Sequence, residues 1–193
     1  MPGGSCPTVG IAGLTLGGGV GVVSRAYGLT SDNVQSLQVV TADGQVRTCN
    51  SSTNADLFWA CRGGGGGNFG VATSFTFTTH PAGEIILFFL SWPWSQAAPG
   101  ATAFVHRNAL FQAQYTTTWP VGSAPAAVSR QHAWQQSYWQ SMRPYASGQA
   151  YQNYIDPALT NWRQAYYGAN YTRLTQVKAT YDPDRVFTFP QAV

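Results

Sequence analysis

Cys6-Pro7-Thr8-Val9-Gly10-Ile11-Ala12-Gly13-Leu14-Thr15-Leu16-Gly17-Gly18-Gly19-Val20-Gly21 is the stretch on which the reading of this chain turns. A thiol stands just ahead of a segment whose glycines leave backbone N–H groups bare, able to approach a phosphate or a flat ring closely. A flexible linker would also be glycine-rich, but Ile11, Leu14, Leu16, Val20, Val22 and Val23 supply more apolar side chains than linkers carry. The stretch reads as a tight ligand-facing loop with a short glycine-rich helix.

Working outward, Tyr27-Gly28-Leu29 and Asp32-Asn33 follow, and then residues 35–41 alternate polar and apolar before breaking at Ala42-Asp43-Gly44-Gln45. With Val46-Arg47-Thr48-Cys49 resuming the pattern, this predicts a hairpin with an Asp-Gly turn. Asn54 is expected to cap a short helix over 55–61, with Asp56 in its first turn, where the helix dipole favours negative charge. A second glycine cluster, 63–67, closes that helix and leads through Asn68-Phe69-Gly70 into a predicted strand at 71–77. Residues 65–70 satisfy G-x-G-x-x-G, but they follow a helix and precede a strand. The dinucleotide fingerprint needs the reverse order, so a nicotinamide reading is rejected.

Residues 85–90 read as a further strand ended by Trp92-Pro93-Trp94, and the small residues of 96–102 mark a candidate boundary. Beyond it, 103–107 and 110–115 read as two strands. Residues 123–145 read as a helix whose Trp134, Tyr138, Met142 and Tyr145 share one face at helical spacing, a stripe expected in the core. A helical stretch through Trp162 to Gly168 comes next. A final helix carries Tyr171, Leu174, Val177, Lys178 and Tyr181 on one face and stops at Asp182-Pro183, with Val186, Phe187 and Phe189 tucking the tail onto the body.

A chain of 193 residues can bury a full core. Its formal charge of +3 comes from scattered arginines and one lysine, Lys178, with no basic run, which argues against nucleic acid as a partner. No window is long and apolar enough for a membrane span, and the start shows neither the basic nor the apolar part of a signal peptide. Three cysteines leave at least one thiol outside any intrachain disulfide. Cys49 and Cys61 are either a pair or, by preference, buried free thiols. The sequons at Asn50 and Asn170 and the single lysine are compatible with secretion. The histidines and cysteines show no metal-ligand spacing, so no metal is expected.

Two blocks, 4–75 and 151–187, resemble the berberine-bridge-enzyme-like FAD-linked oxidases, which have the vanillyl-alcohol-oxidase or PCMH-type flavin-binding fold. The first carries Gly4-Ser5-Cys6-Pro7, the glycine loop, Leu57-Phe58-Trp59-Ala60-Cys61-Arg62-Gly63 and Thr73-Ser74-Phe75. The second carries Tyr151-Gln152-Asn153-Tyr154, Tyr166-Tyr167-Gly168-Ala169-Asn170-Tyr171-Thr172-Arg173-Leu174, Val177-Lys178, Asp182-Pro183 and Val186-Phe187. The resemblance implies an α+β fold. Residues 1–95 would form the second half of a PCMH-type FAD-binding domain and 96–102 a junction. Residues 103–193 would be a remnant of the substrate domain plus the berberine-bridge-like C-terminal segment.

The same resemblance implies FAD as cofactor, held covalently through Cys6 at C6 of the flavin ring. An exposed thiolate beside N–H donors is a plausible nucleophile toward an electron-poor ring. Val9, Gly10, Gly13, Gly17, Gly18 and Gly19 would lie against ring and pyrophosphate, with Gly28, Asp32, Gly70 and Val71 at the nucleotide end. Tyr151 would be the base or proton relay that takes a substrate O–H proton, and Asn153 would bond the flavin or hold Tyr151. If 151–155 is extended, Tyr151 and Asn153 share a face and Tyr154 takes the other. His106 and Arg107 receive no role.

The implied activity is oxidation of a hydroxyl on a carbohydrate, alcohol or secondary metabolite, with hydride passing to flavin N5 and on to oxygen. The implied partner is a small-molecule substrate. Compared with the family pattern, the chain is expected to lack the half of the flavin domain that carries the second flavin link, and a short Ala-Pro-Gly stretch between Trp94 and Ala103 stands in place of most of the substrate domain. A missing N-terminal segment or a second chain is therefore a further expected partner, and exposed sheet edges are expected where the gaps lie. Three readings stand side by side: a fragment or deletion product of such an oxidase, a compact non-catalytic binding protein derived from one, and a gene-model artefact without activity.

Overall fold

A computed structural model of the chain describes residues 2–4, 6–81, 97–110 and 112–193. The strand expected at 85–90 and the Trp92-Pro93-Trp94 stop lie outside the described residues. Helices and an antiparallel sheet share one core, so the fold class is α+β, as the sequence implies.

Helices α1 (Ile11–Leu16) and α2 (Ser24–Tyr27) precede β1 (Val34–Val40), β2 (Val46–Asn50), α3 (Ala55–Ala60) and β3 (Val71–Phe77). The strands form a sheet in the order β2-β1-β3, and Leu37 faces Cys49 on one side and Phe75 on the other. The β1–β2 hairpin turns where the sequence predicts. Gly44, at φ +73°, donates its N–H to the Thr41 carbonyl at 2.9 Å.

Leu37 and Val39 turn the buried face of β1 onto Leu57, Phe58 and Trp59 of α3. The last third of the chain covers the same core through a π-helical turn (Arg163–Tyr167) and α5 (Tyr171–Tyr181). Trp162, Tyr166, Tyr167, Leu174 and Val177 all belong to this cluster, so the two ends of the sequence fold as one body. Lys178 is buried in the seam, where its ammonium meets the carbonyls of Asn68 and Phe187 and the carboxylate of Asp182. Burial alone would raise the Asp182 pKa, but Lys178 and the Phe187 and Val186 N–H groups outweigh it and hold the carboxyl below its ordinary value.

Several expectations are corrected. Asn54 adopts a left-handed conformation (φ 44°, ψ 47°) and makes no cap bond; its amide donates to the Thr48 carbonyl at 2.8 Å instead. Neither 103–107 nor 110–115 is a strand among the described residues. The apolar run that suggested the first is buried as an irregular strap: Ala103 donates to the Trp59 carbonyl and Phe104 to that of Arg62. The aromatic stripe on α4 (Pro125–Met142) is not core. Trp134 is 56% and Tyr138 44% exposed, and no α4 residue is buried, so the rings stack on one another instead. Periodicity identifies a helix face but says nothing about what covers it.

All three cysteines are free, Cys49 and Cys61 buried and Cys6 exposed, and burial pushes the Cys49 thiol up to about 11. The Asn170 sequon is closed to modification. Asn170 is buried, and its amide donates to the carbonyls of Pro99, Thr102 and Ala103.

Candidate functional site

The site is assembled where three distant stretches meet. The carbonyl at the end of α1, on Leu16, accepts the N–H groups of Gly63 and Gly65, which clamps the glycine cluster onto the glycine loop. From the far end of the chain, the Gln152 amide donates to the carbonyls of both Gly17 and Gly63. Residues 151–155 form a turn, with the Tyr154 N–H donating to the Tyr151 carbonyl at 2.9 Å, rather than the extended segment considered from sequence. The turn still brings Tyr151 and Asn153 together: the Asn153 amide donates to the Tyr151 hydroxyl at 2.8 Å and to the Leu14 carbonyl at 3.1 Å.

These stretches enclose a cavity of about 490 Å³. Of the residues singled out from sequence, Cys6, Val9, Gly10, Gly13, Tyr151 and Asn153 line it. Gly17, Gly18 and Gly19 stand just behind that wall, for a packing reason. A β-carbon would come within 1.8 Å of the Asn153 carbonyl oxygen at Gly17, 2.4 Å of the Phe104 ring at Gly18 and 2.4 Å of Thr30 at Gly19.

Gly28, Asp32, Gly70 and Val71 lie outside the cavity lining. Asp32 accepts the Leu29 N–H and both arms of the Arg107 guanidinium, each at 2.7 Å. Gly70 packs on the Val40 carbonyl, and Val71 is an exposed residue opening β3. His106 is buried edge-on to Phe104, and burial lowers its pKa.

Sequence reasoning assigned no site role to Gln152, Tyr154, Tyr166, Tyr167, Phe189 and Gln191, which also line the cavity. Gln152 sat between two named residues and was the one that could have been found. Gln191 reaches the site through amide donation to the carbonyls of Asp156 and Leu159, and nothing local in the sequence signals that.

No Asp, Glu, Lys, Arg or His lines the cavity among the described residues. Its walls are aromatic rings, amides and bare backbone. At Gly10 and Gly13 a β-carbon would meet nothing within 4 Å, so the backbone there offers open, flat approach. An exposed thiol stands at the same wall. The arrangement suits a planar, uncharged ring system.

Comparison with known proteins points to one family from both ends of the chain. Residues 1–50 match the model of an FAD binding domain, and residues 150–193 match that of berberine and berberine-like proteins. Over its whole length the chain is similar to the uncharacterized FAD-linked oxidoreductase YvdP of Bacillus subtilis, 27% identical across 72% of that protein. The chain resembles the berberine-bridge-enzyme-like flavoproteins of the vanillyl-alcohol-oxidase type. Its cofactor is accordingly FAD.

Among solved structures, the berberine-bridge-enzyme-like protein 1 of Physcomitrella patens superposes with a TM-score of 0.86 at 25% identity, covering 100% of this chain and 72% of that one. A glycopeptide hexose oxidase, solved in complex with teicoplanin, shares the fold with a TM-score of 0.84 at 18% identity, covering 100% of this chain and 76% of that one. The match to the Bacillus protein runs over 331 positions against 193 residues here, so that flavoprotein carries residues within the matched region that this one does not have.

Proposed function

We propose that the chain is the flavin-binding part of an oxidase that takes a hydroxyl group of a neutral carbohydrate, alcohol or secondary metabolite to the carbonyl. The observation that carries this reading is the convergence of Cys6 with Tyr151 and Asn153 on one cavity that, among the described residues, no charged side chain lines. When bound, FAD supplies the hydride acceptor at its N5, with dioxygen as the final electron acceptor.

This chain's own residues do the rest. The bare backbone at Gly10 and Gly13 gives a flat wall for the ring, and Cys6 is the point of covalent attachment. Tyr151 receives the substrate's O–H proton at its phenol oxygen, and Asn153 holds that oxygen in place through the 2.8 Å bond. Tyr154, half exposed at 54%, stands edge-on to Tyr151 at 5.2 Å and offers a face for substrate. The described lining of aromatic rings, amides and bare backbone favours neutral polyols and sugars over acids. A hydroxyl-bearing sugar is also the type of substrate that the name of the glycopeptide hexose oxidase points to.

A second reading, flavin binding without turnover, draws on the residues that the Bacillus relative has and this chain lacks. In that case a further segment or a second chain would complete the substrate wall. Adding neutral sugars and alcohols anaerobically to the FAD-loaded chain separates the two: bleaching of the flavin absorption supports the oxidase, and unchanged absorption with every compound supports the binding protein. The Asn50 sequon, with Asn50 half-buried, and the single lysine fit an exported protein.

Covalent attachment has its own test. Acid precipitation of the FAD-loaded wild-type chain is expected to carry yellow colour into the pellet, and Cys6→Ala is expected to leave it in the supernatant. Colour retained in the Cys6→Ala pellet would remove Cys6 from this role.

A further inference from the structure

The hydroxyl oxygen of Tyr151 is met by N–H groups from three sides: Gly19 at 3.2 Å, Val20 at 3.4 Å and the Asn153 amide at 2.8 Å. All of these donors are fixed in identity. Two are backbone, and the Asn153 NH₂ is oriented by its second bond, to the Leu14 carbonyl, which only a donor can meet. The Asn153 amide lies over the bare face of Gly17, a place that a β-carbon there would fill.

Gly18 and Gly19 have φ of +109° and +80°, and this turn points the successive N–H groups of Gly19 and Val20 the same way, as in an anion-binding nest. A neutral phenol must place its own proton as well as accept. A phenolate takes all these donors with no proton left over. Burial raises the Tyr151 pKa above its ordinary value, and the Val20, Gly19 and Asn153 donations offset part of that rise. Of the titratable groups nearby, Tyr154 faces the ring edge-on and opposes the charge, Cys6 lines the same cavity, and His106 stands beyond Phe104.

We propose that the N–H groups of Gly19 and Val20 and the side-chain amide of Asn153 form an oxyanion hole for the Tyr151 phenolate, with Asn153 as its positioning residue. The inference rests on the reading of Tyr151 as proton acceptor and adds what stabilises its charged form. The equilibrium concerned is loss of the phenol proton to solvent, with the negative charge left on an oxygen already surrounded by donors.

The test is ¹⁹F NMR of the purified full chain labelled with 3-fluorotyrosine, whose lower phenol pKa brings the titration into an accessible range. The Tyr151 resonance is the one lost in Tyr151→Phe. Asn153→Leu is expected to raise its ionisation midpoint by about one pH unit or more, the effect of losing a hydrogen bond to a charged group. Asn153→Asp, of the same size but presenting carboxylate oxygens where the donor stood, is expected to raise it at least as far and serves alone if the leucine variant does not fold.

An unmoved midpoint in a folded variant overturns the oxyanion hole and leaves Asn153 a packing residue. The readout needs neither substrate nor turnover. A shifted midpoint in a chain that oxidises nothing upholds the hole while removing the catalytic reading of Tyr151. Turnover with an unmoved midpoint does the reverse.

Discussion

Arg107→Met is expected to lower the unfolding free energy by about 3–5 kcal/mol, the cost of breaking a buried ion pair from one side. Arg107 is 1% exposed and spans Asp32 with both arms at 2.7 Å, while the same guanidinium takes the Thr102 hydroxyl and the Phe104 carbonyl. Asp32 in turn accepts the Leu29 N–H at the turn leaving the glycine loop. The pair fastens the 102–107 strap beneath that loop, and methionine would fill the volume but leave the carboxylate without its guanidinium. Lysine would keep one charge and lose the two-armed geometry, so Arg107→Lys is expected to recover only part of the loss. Urea unfolding measures both. A loss under 1 kcal/mol for the methionine variant would mean that the strap is held by Phe104 packing alone.

Gly63→Ala is the second large effect, on the order of 3 kcal/mol, combining backbone strain at positive φ with overpacking. Gly63 has φ +119°, and a β-carbon there would fall 2.2 Å from the Phe104 nitrogen and 2.6 Å from its α-carbon. Neither side can yield. The Gly63 N–H is committed to Leu16 and its carbonyl to Gln152, while the Phe104 N–H is committed to Arg62. Because Phe104 also packs against Gly18 and the Tyr151 ring, displacing it would disturb the site as well as the core. Gly44→Ala is the control: the same class of φ, +73°, but open space around it, and a cost of only about 1–2 kcal/mol. Equal destabilisation by the two would show that close packing at Gly63 adds nothing.

What the sequence revealed, and what it hid, divides along the range of the interactions. The β1–β2 hairpin and α5 were legible because their signals are local: alternation around Asp43-Gly44 in one case, an apolar face ended by Asp182-Pro183 in the other. The strap at 103–107 was misread as a strand. Its burial is set by contacts of Phe104 with Gly18 and Gly63 and of Arg107 with Asp32, all distant in sequence, and its backbone bonds go to the end of α3 rather than to a sheet. The α4 stripe failed in the opposite direction, since regular spacing produced a face with no residue buried.

In the site, Cys6, Gly10, Gly13, Tyr151 and Asn153 were named through the resemblance to a known family, and the fold brings them to one cavity. Gln152 and Gln191 were not, because each is defined by an amide bond to carbonyls elsewhere in the chain. Asp32, considered for the nucleotide end, is tied to Arg107, a link that no local pattern displays.

The account stands or falls on whether the cavity between the glycine loop and the Tyr151 turn holds FAD. The direct measurement is the visible absorption spectrum of the purified chain after incubation with FAD and removal of free cofactor by gel filtration. The expected result is a flavin spectrum eluting with the protein at about one equivalent per chain. A colourless protein peak, with all the flavin in the late fractions, would contradict it.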